Sequence, residues 1–104
     1  MTGSELRIGY RRSGGFAGIE LAAEVSADEL ATEPAALANR LLADPAFGAP
    51  VRPADAFPSA ADQFDYQLDL DDGSRRHSFH WAQFQVPDAV RPLLTALTER
   101  AAPS

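Results

Sequence analysis

Cysteine is absent from the 104 residues, and with it go disulfide frameworks, thiolate zinc sites and thiol nucleophiles. Lysine is absent too, so all nine basic residues are arginine. Positive charge is scarce overall. Nine arginines face fifteen acids for a formal net charge of −6, whereas binding a phosphate backbone calls for a net basic surface. Apolar runs last only a few residues, far short of the roughly 20 that a spanning helix requires. The opening Met1-Thr2-Gly3-Ser4-Glu5 lacks a basic segment followed by an apolar one, so the expectation is a cytoplasmic protein without a secretory signal. What remains is a length suited to one domain, residues 1–104, with one hydrophobic core.

Strict alternation opens the chain. Leu6, Ile8 and Tyr10 alternate with Arg7, Gly9 and Arg11, the pattern of a half-buried strand. Ser13-Gly14-Gly15 supplies turn chemistry, and alternation resumes with Ile19, Leu21, Ala23 and Val25, giving a hairpin over 6–25 with its tip at Ser13 to Gly18. A helix is expected over 33–44. Thr32 is a candidate cap, Pro34 falls in the first turn, Leu30, Leu37 and Leu41 form a stripe, and Pro45 stops the helix. Ser26 and Glu29 also fit a capping box, which would start it one turn earlier. Residues 45–63 hold four prolines and no sustained periodicity, so they read as a long loop that Phe47, Val51 and Phe57 could pin to the body.

The plan then repeats. Phe64, Tyr66, Leu68 and Leu70 alternate with Asp65, Gln67, Asp69 and Asp71, and Asp72-Gly73 reads as a two-residue hairpin turn within 64–82. That turn sets Leu68 opposite His77, Tyr66 opposite Phe79 and Phe64 opposite Trp81, with Asp69 facing Arg76 and Asp65 facing His80. A second helix over 88–100 carries Asp88 as candidate cap, Pro92 in the first turn and a Val90, Leu93, Leu94, Leu97 stripe. Ala101 to Ser104 reads as a frayed tail. The expected fold is therefore α+β, a two-layer ββαββα arrangement with a four-stranded antiparallel sheet and both helices on its apolar face.

Few constellations support chemistry. His77 and His80 have His-x-x-His spacing, but on a strand positions three apart face opposite sides, so no metal site is expected. Asp69, Asp71 and Asp72 lack the distal Glu of a calcium loop and read as solvated strand polarity. Ser13 lacks the strand-to-helix elbow of a nucleophile, and the glycines lack the Lys-Ser/Thr of a phosphate loop. No catalytic residue, cofactor or metal is expected. The unusual feature is Phe16 within Ser13-Gly14-Gly15-Phe16-Ala17-Gly18. Either this ring folds back onto the core, or a narrow main chain presents it to a partner, and burying it would supply roughly 1.5–3 kcal/mol.

The run Arg12-Ser13-Gly14-Gly15-Phe16-Ala17-Gly18-Ile19 resembles the signature of the emfourin family, small proteinaceous inhibitors of protealysin, a thermolysin-like zinc metallopeptidase. Phe64-Asp65-Tyr66, Asp72-Gly73, Pro87 and Leu93-Leu94-Leu97 extend the likeness, which covers Leu6 to Thr98. The resemblance implies tight non-covalent inhibition of such peptidases, without cofactor; the chain is expected to be monomeric when free, and its net charge and short apolar runs argue against nucleic acid and membrane as partners. It implies protease contact by Arg12, Ser13, Gly14, Gly15, Phe16, Ala17 and Gly18. Because a six-residue tip is small beside a typical inhibitor interface of about 1,600 Å², help is expected from Asp72 and Gly73 or from the 45–63 loop. The alternative is a non-inhibitory interaction module, a chaperone or assembly partner of such a peptidase.

Overall fold

The computed structural model describes residues 6–14, 20–49 and 64–103, the Phe84 side chain aside. Alternation makes the first two strands, β1 (Arg7–Gly14) and β2 (Leu21–Ser26), which pair antiparallel with Ile8 opposite Val25 and Tyr10 opposite Ala23. The Ser26–Glu29 capping box forms, with Glu29 Oε2 accepting from Ser26 N–H at 3.3 Å, but it closes a separate 3₁₀ turn over Ala27–Glu29. Helix α1 (Thr32–Ala43) follows, with Ala31 rather than Thr32 at its N-cap. Pro34 occupies the first turn, where its missing N–H would lack an intrahelical partner in any case. Pro45 ends the helix and begins a 3₁₀ turn over Pro45–Gly48 within the stretch expected to be loop. Phe47 packs partly buried against the core, as expected, whereas Val51 and Phe57 lie outside the described residues.

The second hairpin, β3 (Phe64–Asp71) and β4 (Arg76–Ala82), departs from the expected register. Leu68 lies opposite Phe79, Tyr66 opposite Trp81 and Asp69 opposite Ser78, a shift of two residues. The cause is the turn. A two-residue turn centred on Asp72-Gly73 needs positive φ at both positions, yet no described residue other than glycine has it. The loop instead spans 72–75: Asp72 N–H donates to the Arg75 carbonyl, while the Asp72 carboxylate accepts from Ser74 and Arg75 N–H at 2.9 and 2.7 Å. A shift of two leaves every side chain on its expected face.

A 3₁₀ turn over Asp88–Val90 leads into helix α2 (Arg91–Arg100), and Asp88 holds the Arg91 guanidinium at 3.3 Å. Past α2 the tail is not frayed. Ala102–Pro103 forms a fifth strand, β5, pairing Ala22 with Ala102 and Leu21 with Pro103, so among the described residues the sheet has five strands in the order β4-β3-β1-β2-β5 rather than four.

Both helices cover one face, as the patterning predicts. Ile8, Tyr10, Leu68, Leu70, Phe79 and Trp81 meet Ala38, Leu41 and Leu42 of α1 and Leu93, Leu94 and Leu97 of α2. Trp81 stacks on Phe79 with centroids 5.2 Å apart, and its indole N–H donates to the Gly48 carbonyl at 2.8 Å. That bond satisfies the one polar atom of a fully buried ring and fastens the end of the 3₁₀ turn to the sheet. On the opposite face Arg7, Arg11, Glu24, Asp65, Asp69, Arg76 and His80 are exposed.

Candidate functional site: the Gly-rich end of the sheet

β1 changes character along its core-facing side. Leu6, Ile8 and Tyr10 are buried, and the next residues on that side are Arg12 and Gly14. The strand here runs out of apolar partners, and a guanidinium takes the place of a hydrocarbon. Arg12 stacks on the Phe64 ring at 4.1 Å, Phe64 lies 6.4 Å from Tyr66, and Tyr66 lies 6.4 Å from Tyr10. A cation over a ring contributes about 0.5–2 kcal/mol. Against that stands an unmade bond. Among the described residues, Arg12 Nε is the only buried side-chain polar atom without a hydrogen-bond partner. Leaving such a donor unsatisfied costs about 1–3 kcal/mol.

Pairing with β2 ends at Arg12–Leu21, but β1 continues against β3 through Ser13–Asp65 and Gly14–Phe64. The base of the hairpin tip is thus held by β3. Gly14 has φ +89°, a conformation that glycine alone adopts without strain. Across the hairpin stalk Arg11 pairs with Glu20 at 3.4 Å on the exposed face. Of the residues expected to contact a protease, Arg12, Ser13 and Gly14 are thereby brought together, and Gly15, Phe16, Ala17 and Gly18 lie outside the described residues.

The antiparallel pairing sends the other expected contact elsewhere. Arg7, at the start of β1, pairs with Asp71, so Asp72 and Gly73 sit at the far end of the sheet. Eight strand residues separate the ends by about 23 Å. Asp72 and Gly73 therefore lie at the opposite end from Ser13 and Gly14. What does neighbour Gly14 is Phe64, the first residue of β3. The Asp72 carboxyl closes its own loop: the Arg75 and Ser74 backbone N–H groups hold it below the usual carboxylate range. Asp71 pairs with Arg76 at 3.3 Å, and Asp69 accepts from the Ser78 hydroxyl at 2.6 Å.

The histidines separate by face, as their strand spacing predicts. His77 is half-buried with its ring 4.6 Å from that of Phe79, while exposed His80 lies 3.9 Å from the Asp65 carboxylate. Among the described residues no three His, Asp or Glu side chains gather where they could hold a metal.

One feature of this end escaped the sequence reading. Beside Arg12, a groove of about 280 Å³ is walled by Tyr66 and by Arg91, Leu94, Thr95, Thr98 and Glu99 of α2. The signal lay in α2, where Arg91, Thr95 and Glu99 recur every four residues along the flank of the leucine stripe. Within the groove the Thr98 hydroxyl donates to the Leu94 carbonyl at 2.8 Å, so at 2.5 Å from the Tyr10 hydroxyl it accepts.

Comparison with known proteins completes the picture. No curated protein matches the chain. Among solved structures, emfourin (M4in) from Serratia proteamaculans, an M4 family peptidase inhibitor, is similar at 18% identity over 98% of this chain and 94% of that one, with a TM-score of 0.48. The sequence model of the Emfourin family matches residues 10–98, from the core-facing Tyr10 before the Gly-rich run to Thr98 in the last helix. The chain belongs to the Emfourin family.

Proposed function

We propose that this chain inhibits M4-type, thermolysin-like metallopeptidases by lodging its Gly-rich hairpin tip non-covalently in the active-site cleft. Emfourins are peptidase inhibitors rather than enzymes, and the family match carries the inhibitor role. The finer reading rests on the tip. Ser13-Gly14-Gly15-Phe16-Ala17-Gly18 combines small residues, which let the main chain enter a narrow cleft, with one benzyl group to fill an apolar pocket there. Phe16 is the anchor in this reading, and the flanking end of the sheet covers the rim and keeps substrate out. With no cysteine in the chain, obstruction rather than capture of the enzyme's metal is the mode of action.

The single observation that supports the tip over the rest of the surface is the pairing at its base. Ser13 and Gly14 are fixed against Asp65 and Phe64, so the base of the Gly-rich run is braced by the sheet. Titrating a thermolysin-like peptidase with the chain, using a small peptide substrate, tests the function. Complete, stoichiometric and competitive suppression is expected. A saturable complex that still cleaves the small substrate would instead mark a non-inhibitory partner.

A further inference from the structure

We propose that the groove between β3 and α2 receives a carboxylate from the rim of the bound peptidase, with Arg12 as its main ligand. This inference rests on the inhibitory reading above and adds to it the chemistry of a second contact. Among the described residues, Arg12 Nε is buried without a hydrogen-bond partner, and no carboxylate lies within ion-pair distance of this guanidinium. Among the described residues, that leaves an open position for an acid supplied from outside. The guanidinium carbon is held over the Phe64 ring at 4.1 Å, and a planar fork matches the two oxygens of a carboxylate.

The remaining groove residues agree on the sign and the place. Arg91 brings a second positive charge, held in position by Asp88 at 3.3 Å and by the Gln83 carbonyl at 3.3 Å. Thr95 is exposed and adds a hydroxyl. Thr98 is committed to Leu94 and Tyr10 and contributes shape only. Glu99 repels an incoming acid from its own stretch of the groove, which directs that acid toward Arg12 and Arg91. A volume of about 280 Å³ is ample for one Asp or Glu side chain. The groove opens beside the base of the Gly-rich tip, so tip and groove can engage one enzyme together.

The test compares inhibition of a thermolysin-like peptidase by wild type, Arg12→Leu and Arg12→Lys at low and high ionic strength, alongside thermal melting of each. Arg12→Leu is expected to weaken inhibition at least about tenfold at low salt and to flatten its salt dependence. Its melting temperature stays level or rises, because the substitution removes an unsatisfied buried donor. Arg12→Lys keeps the charge without the fork and recovers only part of the affinity. Inhibition by Arg12→Leu equal to wild type, with the same salt dependence, overturns the groove while leaving the inhibitory reading intact. So does a loss of inhibition that tracks a fall in melting temperature with salt dependence unchanged. Wild type that fails to inhibit overturns the reading on which the groove rests.

Discussion

Gly48 has no room for a methyl group. A Cβ there would lie 2.6 Å from Phe79 Cε2 and 2.8 Å from Leu41 Cδ2, so the main chain approaches the core at a distance that only glycine permits. Gly48→Ala is expected to cost about 1–3 kcal/mol through overpacking, read as a lower urea midpoint by the fluorescence of the single tryptophan, Trp81. An unchanged midpoint would mean that the 3₁₀ turn yields freely. Tyr10 gives a second residue-scale test. Burial pushes its hydroxyl above the usual value of 10.0, so the folded state holds this proton more tightly than the unfolded chain. The contribution is complete below the unfolded value and is lost as pH rises through the higher folded one. Tyr10→Phe should therefore melt with a flatter alkaline limb than wild type, and matching alkaline limbs would contradict this. None of the Gly48 constraint shows in the sequence, where it is one glycine in a proline-rich stretch, whereas the core-facing side of Tyr10 follows directly from alternation.

Among the elements, the β3–β4 hairpin shows best what a pattern can and cannot specify. Alternation of Phe64, Tyr66, Leu68 and Leu70 against Asp65, Gln67, Asp69 and Asp71 determines which face is buried. It cannot separate registers that differ by two, because both bury the same side chains, and the choice falls to the carboxylates that close the 72–75 loop. That dependence is testable. The Asp72 pKa is depressed in the fold, so its contribution is present above the unfolded carboxylate value and is lost as pH falls through the folded one. Asp72→Asn should show a shallower acid limb in melting temperature than wild type, and parallel acid limbs would argue that the carboxylate does not hold the turn. β5 was illegible for another reason. Ala102-Pro103 carries no alternation, and its two residues join the sheet only because the edge of β2 lies beside them. At the candidate site, the faces of Arg12 and Gly14 follow from the parity of β1, but the α2 wall of the groove depends on how two sequence-distant elements pack.

At the scale of the whole molecule, the antiparallel sheet gives the protein two functionally different ends. One carries the braced base of the Gly-rich tip, Arg12 over Phe64 and the α2 groove; the other carries the 72–75 loop, about 23 Å away. Strand order was not written in the alternation, since the β1 and β3 faces are equally compatible with several orders, and it is this order that separates the ends. Arg75→Ala, at the far end, is accordingly expected to inhibit a thermolysin-like peptidase as wild type does, and weakened inhibition by that variant would show an epitope reaching both ends. The most direct test of the account is the inhibition constant of Phe16→Ala measured beside wild type and Arg75→Ala on the same enzyme. Loss of roughly 10–100-fold in affinity for Phe16→Ala alone is the predicted result. Equal inhibition by all three would contradict the anchoring of this inhibitor through its hairpin tip.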